Sequence, residues 1–569
     1  MGRQLKKVVS KTSVLCVTAA LMTMSFTTAQ AAALRPLQSK EGMVVSTQKA
    51  ASDIGTNVLK NGGNAIDAAV AVGFAMAVCH PCAGNIGGGG FAVIHMADGR
   101  NMALDFREKA PLAATRDMYL DKQGNVIPGL STLGYKAAGV PGTVKGMTAM
   151  RDKLGTKPLA ELMAPAIKMA DEGFTVSIRQ EETMADAAAD FKKFPASSKY
   201  FLHKDGSIYK AGEKLVQKDL AKTLKGISAT DGDSFYTGVT AEQIAKDMKA
   251  NNGLITKEDL AKYNVVWREP SEGTYRGYEI LSMCPPSSGG THIVEILNIM
   301  EKANMGKLGF GTAASYHVMA EAMRQAYADR SEYMGDPDFV KVPVKELTDK
   351  NYANMIYNSI DPNKATSSDV VRPGLKAMHE GNNTTHYSIV DKWGNAVSIT
   401  YTINDYYGAK ASVAGAGFLL NNEMDDFSIK PGVPNMYGLV GGDANAVEPE
   451  KRPLSSMSPS IVLKDGKLFM VVGSPGGARI ITTTLQVISN VIDYGMNISE
   501  AVMAPRIHMQ WLPDEIRYEK YGLNLDVAAE LHAMGYKLAL KDPMGDVNAI
   551  MLDQKTGMIY GSCDPRNEF

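Results

Sequence analysis

Cysteine is scarce in this chain, with five residues among 569. Two of them, Cys79 and Cys82, form the sequence C-H-P-C. A redox dithiol with this spacing is expected near a βαβ unit, whereas this pair follows an alanine-rich helical pattern that Pro81 ends. The sequence therefore favours a structural pair or an incidental match over a redox site. A disulfide between the two thiols is permitted in an oxidising compartment.

An excess of charge of either sign is also missing, since 60 Lys and Arg residues face 61 Asp and Glu residues. This balance argues against a nucleic-acid or other polyanionic partner. No set of His, Cys and carboxylate residues in the sequence has the spacing of a metal site. The glycine cluster at 84–90 precedes an apparent strand and lacks the strand-then-helix context of a dinucleotide loop. We therefore predict no metal, no organic cofactor and no nucleic-acid partner.

Long apolar runs are absent beyond the N-terminus. The N-terminus itself carries basic residues and no acid, followed by an apolar run at 14–26 and the small residues Ala29 and Ala31. This is the pattern of a secretory signal peptide, residues 1–31, cleaved after Ala31. The run is shorter than the roughly 20 residues that a spanning helix needs, so an uncleaved membrane anchor is the weaker alternative. We expect a secreted protein, periplasmic or extracellular, with no stable membrane span and a mildly acidic mature chain.

The first part of the mature chain alternates between helical and strand patterns. Residues 47–78 predict two helices separated by an N-G-G-N turn at 61–64. After the glycine cluster, two strand patterns around a turn at Asp98 predict a hairpin. Residues 140–265 and 288–335 have mostly helical patterns. Glycine is frequent, at 54 residues, which predicts many tight turns and close backbone contacts.

The character of the sequence changes at Thr384. Residues 360–383 are polar and aperiodic, which predicts an exposed, loosely held segment. Residues 385–403 then alternate and are rich in β-branched side chains, which predicts a hairpin. A second hairpin is predicted at 459–473, and a glycine pair then precedes a helical pattern at 478–494. Any proposed function therefore has to explain this organisation, in which a loose segment ends abruptly and two hairpins follow.

Thr384 acquires a specific chemistry if the chain is cut directly before it. A threonine hydroxyl is a weak nucleophile that needs a base, and the sequence has no G-x-S-x-G elbow. A free α-amine on Thr384 would have a pKa of about 7.7–8.0, which is suited to general base catalysis near neutral pH. Because amine and hydroxyl belong to one residue, they are already positioned together. Taken alone, however, a threonine in N-N-T-T is more often a turn residue or a glycosylation acceptor.

The residues around Thr384, at 381–388, 390–391 and 394–397, resemble the start of the small subunit of γ-glutamyltranspeptidases. The resemblance continues, in order, through further motifs at 64–69, 84–90, 106–108, 285–290, 324–335, 400–404, 420–427, 453–459 and 473–477. It covers essentially the whole mature chain. Any one of these motifs would be weak, but together they are highly specific.

The resemblance implies an α+β fold of the N-terminal nucleophile hydrolase type. In that four-layer αββα sandwich, two antiparallel sheets lie between helical layers. It also implies a precursor that cleaves itself between Asn383 and Thr384 into a large subunit, 32–383, and a small catalytic subunit, 384–569. The two pieces are expected to stay together as a heterodimer. The loose segment before the hairpin agrees with this, because it would let the new chain ends separate.

Four residues receive catalytic roles from the resemblance. Thr384 is the expected nucleophile in both self-cleavage and turnover. Thr402 is expected to bond to the Thr384 hydroxyl, and strand alternation would put Thr402 and Asn404 on one face. Gly476 and Gly477 stand near the start of a predicted helix, where unpaired N–H groups suit an oxyanion hole. Without the resemblance, an ordinary strand threonine and a tight turn would be the simpler interpretations.

The remaining site residues are expected to bind the amino-acid end of a γ-glutamyl substrate. Arg107 offers a fork suited to a carboxylate, with the hydroxyl groups of Ser455 and Ser456 beside it. The substrate's ammonium group would be held by Asn404, Glu423 and Asp426. Position 423 is Glu here and Gln in some members of the family, and either side chain accepts a hydrogen bond from an ammonium group.

Two further expectations concern the surroundings of the pocket. Residues 431–447 are rich in Gly and Pro and resemble the lid loop of bacterial members, with Tyr437 closing over the pocket. The simpler interpretation is a mobile surface loop. His386 has no place in the expected catalytic set, and we predict a structural role for it.

These expectations combine into a γ-glutamyltransferase and glutathione hydrolase. Thr384 would take the γ-glutamyl group from glutathione or another γ-glutamyl compound and pass it to water or to an amino acid or dipeptide acceptor. One alternative is a cephalosporin or glutaryl acylase of the same fold, against which the acidic pair Glu423 and Asp426 argues, because such substrates lack the α-ammonium. The other is an uncleaved, inactive binding protein, against which the intact Thr384, Thr402, Gly476 and Gly477 argue.

Overall fold

The structure is a computed structural model and describes residues 34–371, 384–439 and 441–567. The predicted signal peptide, 1–31, and the expected cleavage residue Asn383 lie outside the described residues. From Pro36 onwards the chain clusters into one unit. Within the described ranges, no helix is both long enough and apolar enough to cross a bilayer.

Helices make up two outer layers of the molecule. In chain order the α-helices are α1 (Lys49–Lys60), α2 (Ala65–Cys79), α3 (Thr143–Leu154), α4 (Leu159–Glu172), α5 (Ile178–Phe191), α6 (Pro195–Phe201), α7 (Lys218–Ala229), α8 (Asp233–Tyr236), α9 (Val239–Ala250), α10 (Lys257–Lys262), α11 (Gly289–Met300), α12 (Met305–Leu308), α13 (Ala313–Tyr333), α14 (Val344–Leu347), α15 (Lys350–Ser359), α16 (Arg479–Tyr494), α17 (Ile498–Met503) and α18 (Leu525–Ala533).

Strands make up the two inner layers. In chain order they are β1 (Leu37–Ser39), β2 (Gly42–Ser46), β3 (Gly89–His95), β4 (Asn101–Phe106), β5 (Phe174–Thr175), β6 (Lys214–Leu215), β7 (Val266–Arg268), β8 (Ser271–Tyr275), β9 (Tyr278–Ser282), β10 (Thr385–Asp391), β11 (Ala396–Thr402), β12 (Ser460–Lys464), β13 (Lys467–Val472), β14 (Ile507–His508), β15 (Ile516–Tyr518), β16 (Leu538–Leu540), β17 (Asn548–Asp553) and β18 (Met558–Cys563).

The two main sheets are antiparallel throughout. One has the strand order β1-β18-β17-β13-β12-β9-β8 and the other the order β2-β10-β11-β3-β4-β7. Their facing surfaces share one apolar cluster, to which Phe91 and Val93 contribute from one sheet and Ile461 and Val471 from the other. Helices α1, α2 and α3 pack outside the six-stranded sheet, and α11 and α16 pack outside the seven-stranded sheet. The predicted αββα sandwich is therefore confirmed.

Helix α2 shows why this layer arrangement follows from the sequence. Its small and apolar residues are buried over the whole length of the helix, and a helix that is apolar all round belongs inside a large core. The side chain of Asn64 accepts a hydrogen bond from the N–H of Asp67, and the side chain of Asp67 accepts one from the N–H of Asn64. This capping box satisfies two N–H groups that a buried helix start would leave unpaired.

Strand β10 has different groups on its two faces, and both faces are buried. Tyr387 and Ile389 belong to the cluster under the helices. On the other face, the Ser388 hydroxyl donates to the carbonyl of Asn548 in the opposite sheet, at 2.8 Å. This places the first strand after Thr384 between a helical layer and the second sheet, which holds it rigidly.

The predicted local elements are mostly confirmed. The two helices around the 61–64 turn, the hairpin around Asp98, and both hairpins after Thr384 are present. The range 140–265 is mostly helical, with one additional pairing of β5 with β6. Cys79 and Cys82 are buried free thiols, and burial raises the pKa of Cys79 to about 12. A thiolate nucleophile is therefore unavailable at this pair.

Candidate active site

Thr384 lies directly before β10, an interior strand of the six-stranded sheet between β2 and β11. Strand β10 pairs with β11, and Thr385 stands opposite Tyr401. Continued by one residue, this antiparallel register puts Thr384 across from Thr402, the last residue of β11. Both are almost fully buried, at 8% and 2% exposure. The hairpin thus brings together the two threonines that the sequence analysis paired.

An open cavity lies beside Thr384, with about 290 Å³ of space between its walls, part of which is continuous with bulk solvent. Its walls are formed by Arg107, Arg330, Thr384, Thr402, Asn404, Glu423, Asp426, Tyr437, Leu439, Ser455, Ser456, Met457, Gly477 and Ile480. Among the predicted site residues that the structure describes, all except Gly476 lie in these walls. The sequence ranges that supply them are far apart, so the fold itself assembles the site.

The glycine pair lies two residues before the start of helix α16, slightly earlier than the sequence pattern predicted. Gly476 has φ +137° and Gly477 has φ +54°, conformations that favour glycine. Their carbonyl groups accept hydrogen bonds from the N–H groups of Arg479 and Ile480. Over the described part of the chain, no acceptor is found for the N–H of either glycine. Two unpaired donors at the helix start, one of them on the cavity wall, are the groups that an oxyanion hole requires.

Arg107 is paired with the residues that were expected to bind the opposite end of a substrate. Its guanidinium forms short ion pairs with Glu423 and Asp426 and lies 3.7 Å from Glu108. The sequence interpretation, with separate sites for a carboxylate and an ammonium group, is thus incomplete, because Arg107 is in direct contact with Glu423 and Asp426. A zwitterionic ligand would have to share or replace these ion pairs.

Arg107 faces three buried carboxyl groups, so carboxyl groups outnumber the two arginines, Arg107 and Arg330, around this cavity. Burial raises the pKa of Glu108 to about 7, and it raises the pKa of Glu423 and of Asp426. Although burial opposes it, the neighbouring carboxylates hold the pKa of Arg107 above its ordinary value. The cluster therefore attracts a further positive charge, as the ammonium group of an amino acid would supply.

Asn404 lines the cavity from a turn after strand β11, and not from the strand itself. Strand β11 ends at Thr402, and Asn404 has φ +73°, so our placement of both residues on one strand face is wrong. The N–H of Asn404 instead donates to Thr402 Oγ1 at 2.8 Å. This local turn, and not the period of a strand, puts both side chains at the same wall.

Tyr437, which the sequence analysis predicted as a lid residue, lines the cavity. Its hydroxyl donates to the carbonyl of Asn404 at 2.8 Å and also contacts Asn404 Oδ1. The neighbouring Asn435 donates from Nδ2 to Asp426 Oδ1 at 3.2 Å. Tyr437 is 4% exposed. The segment that contains Asn435 and Tyr437 is therefore held against Asn404 and Asp426.

Ser455 and Ser456 are held by the turn that precedes helix α11. The N–H and the hydroxyl of Ser288 both donate to the carbonyl of Ser455, each at 2.8 Å. The hydroxyl of Ser287 donates to the carbonyl of Met457 at 2.6 Å. The Pro-Pro-Ser-Ser-Gly-Gly turn, which the sequence analysis noted only as a motif, therefore fixes the backbone of the cavity wall at Ser455 and Met457.

His386 is absent from the cavity walls. Its ring nitrogens bond to the hydroxyl groups of Thr400, at 2.9 Å, and Ser388, at 3.0 Å. Complete burial lowers the pKa of His386 to about 3, so the ring is neutral over the range in which proteins work. Its position agrees with the structural role that we predicted.

The described residues hold no group of three or more His, Cys, Asp and Glu side chains that could bind a metal ion.

A family model described as gamma-glutamyltranspeptidase matches residues 51–568. The chain belongs to the γ-glutamyltranspeptidase family. Among curated proteins it is similar to the glutathione hydrolase proenzyme of Escherichia coli (strain K12), at 55% identity over 532 residues, 94% of this chain and 91% of that protein.

Two solved structures relate this member of the γ-glutamyltranspeptidase family to its fold class. A cephalosporin acylase from Bacillus halodurans is 28% identical, with a TM-score of 0.82, and the match covers 96% of this chain and 98% of that chain. A γ-glutamyltranspeptidase chain from Helicobacter pylori is 60% identical, with a TM-score of 0.57, and the match covers 59% of this chain and 96% of that one. The fold is therefore shared with an acylase, and activity must be argued from the site.

Two charged residues of the site were missed by the sequence analysis. Glu108 follows Arg107 in a noted motif and packs so closely that a Cβ on Gly89 would lie 2.8 Å from its carboxylate. Arg330 lies within helix α13 and lines the cavity. The only sequence signal for either was its membership of a γ-glutamyltranspeptidase motif, since neither residue type nor spacing marks them.

Proposed function

We propose that this protein is a secreted γ-glutamyltransferase and glutathione hydrolase that matures by cutting itself between Asn383 and Thr384. The observation that carries the proposal is the position of Thr384 on the wall of a cavity that also presents Arg107, Glu423 and Asp426. A nucleophile at one end and groups of both charges at the other match a γ-glutamyl compound, which has a carbonyl and an amino-acid end. The E. coli relative is a glutathione hydrolase proenzyme.

Self-cleavage would proceed by transfer of the acyl group from nitrogen to oxygen. The Thr384 hydroxyl attacks the Asn383 carbonyl, the amide bond breaks and an ester forms. Water then hydrolyses this ester, which leaves a carboxylate on Asn383 and a free amine on Thr384. The H. pylori match supports two mature chains, because that chain is 96% covered but spans 59% of this protein. The proposed large subunit, 32–383, is a segment of similar size, followed by the small subunit, 384–569.

In turnover, the free amine of Thr384 takes the proton of its own hydroxyl as that oxygen attacks the γ-carbonyl of glutathione. The N–H groups of Gly476 and Gly477 stabilise the resulting oxyanion. Thr402, held by its bond from the N–H of Asn404, orients the hydroxyl of Thr384. The ammonium of Thr384 then protonates the departing amine of cysteinylglycine, and a γ-glutamyl ester remains.

The second half-reaction releases the γ-glutamyl group. The Thr384 amine removes a proton from water or from the amine of an amino acid or dipeptide, and the attacking atom displaces the threonine oxygen. Glutamate or a new γ-glutamyl amide results. Neither half-reaction requires a metal ion or an organic cofactor. The docked lid around Tyr437 limits the access of bulk water to the ester.

Recognition of the amino-acid end uses the charge cluster. We assign the α-carboxylate to Arg107, Ser455 and Ser456. The α-ammonium goes to Asn404, Glu423 and Asp426, whose excess negative charge it offsets. Binding of the zwitterion then exchanges the direct pairs of Arg107 for pairs with the ligand, at little net electrostatic cost.

An acylase acting on cephalosporin or glutaryl amides is the alternative that a specific observation favours, namely the TM-score of 0.82 to a cephalosporin acylase. Glutaryl substrates carry a carboxylate but no ammonium group. They would leave the cluster of Glu108, Glu423 and Asp426 without the cation that it attracts. The site therefore favours γ-glutamyl over glutaryl substrates.

The test is to purify the protein and to compare hydrolysis of γ-glutamyl anilide with hydrolysis of glutaryl anilide. We expect a small subunit whose N-terminal sequence is Thr-Thr-His-Tyr, absent in Thr384→Ala, and a strong preference for the γ-glutamyl substrate. Preference for the glutaryl substrate would establish the acylase. A single intact chain without activity would instead indicate a binding protein.

A further inference from the structure

Arg330 is a buried cation at the active site. It lies on helix α13, is 4% exposed and lines the same cavity as Thr384. Within the described part of the chain, no carboxylate lies within 4.0 Å of its guanidinium. Burial lowers the pKa of Arg330 to about 10, so it remains charged at neutral pH. Arg107 differs, because its charge is already shared among three carboxyl groups.

Among the described residues, the guanidinium of Arg330 makes two hydrogen bonds, and both go to serine hydroxyl groups. Its Nε donates to Ser288 Oγ at 2.9 Å, and its Nη2 donates to Ser456 Oγ at 3.1 Å. The Ser288 hydroxyl in turn donates to the carbonyl of Ser455 at 2.8 Å. The guanidinium therefore joins the turn before α11 to the pair Ser455 and Ser456, and it fixes their position relative to helix α13.

This arrangement determines the direction of the Ser456 hydroxyl. A serine hydroxyl has one proton to donate, and it accepts through its lone pairs. Because Ser456 Oγ accepts from Arg330, its own proton points elsewhere, and Ser456 lines the cavity. Hydrogen bonding to a charged donor also polarises the hydroxyl and strengthens it as a donor. A preorganised donor beside a positive charge is suited to an anionic group of the ligand.

We propose that Arg330 is a positioning residue that makes the active site selective for substrates with an α-carboxylate. It orients the Ser456 hydroxyl as a donor to that carboxylate and supplies the positive charge that Arg107, paired with Glu423 and Asp426, does not offer alone. This inference rests on the proposed γ-glutamyl specificity. It adds a residue through which the α-carboxylate of the substrate is recognised.

The test uses three anilides that differ only at the amino-acid end. The γ-glutamyl anilide carries both charged groups, 4-aminobutyryl anilide lacks the α-carboxylate, and glutaryl anilide lacks the α-ammonium. We expect Arg330→Met to lower kcat/KM for γ-glutamyl anilide roughly 10- to 100-fold, mainly through KM. The value for 4-aminobutyryl anilide should change less than about threefold, because the lost interaction involves a group that this substrate does not have.

Two further variants separate a specific role from a general one. Arg330→Lys keeps the charge but loses the two-pronged geometry, so it should show an intermediate, equally selective loss. Ser288→Ala removes one anchor of the guanidinium and should act in the same direction. Arg151→Met, which removes an arginine that pairs with Asp152 and Asp231 at the surface, is the control and should leave all three rates unchanged.

The possible outcomes distinguish a selective role of Arg330 from a merely structural one. If Arg330→Met lowers the rates on γ-glutamyl and 4-aminobutyryl anilide by the same factor, the residue is merely structural and the inference is overturned. If Arg330→Met is not processed, the selective loss must appear in Arg330→Lys and Ser288→Ala, and equal losses there overturn it too. If the unmodified enzyme does not prefer γ-glutamyl anilide over either analogue, the proposed function itself fails.

Discussion

The hydroxyl of Tyr437 donates a hydrogen bond to the backbone carbonyl of Asn404, at 2.8 Å, and so connects the proposed lid, residues 431–447, to the turn that follows strand β11. A neutral hydrogen bond of this kind contributes about 1 kcal/mol. We therefore expect Tyr437→Phe to raise KM for γ-glutamyl anilide roughly fivefold, because the closed lid loses its anchor. Steady-state kinetics measure this change.

A second consequence of the same bond is protection of the lid. Limited proteolysis should cut Tyr437→Phe within 431–439 faster than the unmodified enzyme, since the open form is more populated. Tyr521→Phe is the matched control, because Tyr521 is 86% exposed. Identical KM values and cleavage rates in all three proteins would show that the bond does not hold the lid closed.

Thr402 allows a test that separates its hydroxyl from its shape. The hydroxyl oxygen accepts from the N–H of Asn404, and Thr402 stands across from Thr384. We expect Thr402→Ala to lower kcat at least tenfold, up to roughly 10²-fold, and Thr402→Ser to stay close to the unmodified enzyme. A Thr402→Ala enzyme with normal kcat would remove Thr402 from the mechanism. N-terminal sequencing of both variants checks that processing has occurred.

The sequence was sufficient where local pattern and local structure agree. The hairpin 385–403 is such a case, because strand alternation, β-branched residues and a turn with Gly394 in a positive-φ conformation all favour it. Helix α2 is another, since its apolar run has only one way to be buried. Most of the site could be named because each residue lies within a specific family motif.

The sequence was insufficient where a contact depends on distant segments. The ion pairs of Arg107 join residues more than 300 positions apart, and no local pattern records them. Arg330 lies in a 21-residue helix in which most residues are buried. The helical periodicity of the sequence therefore does not distinguish Arg330 from its neighbours. Asn404 was misplaced because its positive φ bends the chain at the point where strand alternation stops.

The pH dependence of substrate capture should depend on Glu423. Burial raises the pKa of Glu423, Asp426 and Glu108, in the last case to about 7. Below these pKa values the carboxyl groups are neutral and attract the substrate's ammonium group less, so kcat/KM should fall as the pH drops. Glu423→Gln removes one titrating charge, which lets its neighbours ionise at lower pH.

We therefore expect the acidic limb of the kcat/KM profile of Glu423→Gln to move to lower pH, with KM several-fold higher at alkaline pH. The amide still accepts from the ammonium group, so activity should persist. Glu272→Gln, at an exposed position on strand β8, is the control and should reproduce the profile of the unmodified enzyme. An unchanged acidic limb in Glu423→Gln would assign that limb to another group, such as the Thr384 amine.

A buried carboxyl pair in the outer helical layer should make the free energy of unfolding depend on pH. Glu295 on α11 lies beside Asp329 on α13, and burial raises the pKa of each to about 8. Three neighbours contact the pair: His292 Nδ1 lies 2.7 Å from Glu295 Oε2, and Tyr352 and Gln325 donate to Asp329 Oδ2 at 2.6 and 3.1 Å. The native state therefore holds protons that the unfolded chain, with ordinary carboxyl pKa values near 4, has already lost.

The sign of the effect follows from this difference in bound protons. The contribution of this pair to the free energy of unfolding is fully present below about pH 4. It declines as the pH rises towards 8, by up to about 1.4 kcal/mol per pH unit for each extra proton that the native state binds. Glu295→Gln replaces the titrating group by an amide, so the variant should lose less stability between pH 5 and pH 8 than the unmodified enzyme. Thermal unfolding of the processed protein across that range measures the difference, with Glu272→Gln as the control. Parallel curves for all three proteins would mean that the pair is already ionised at neutral pH, which would require a counter-charge that neither His292 nor Tyr352 supplies.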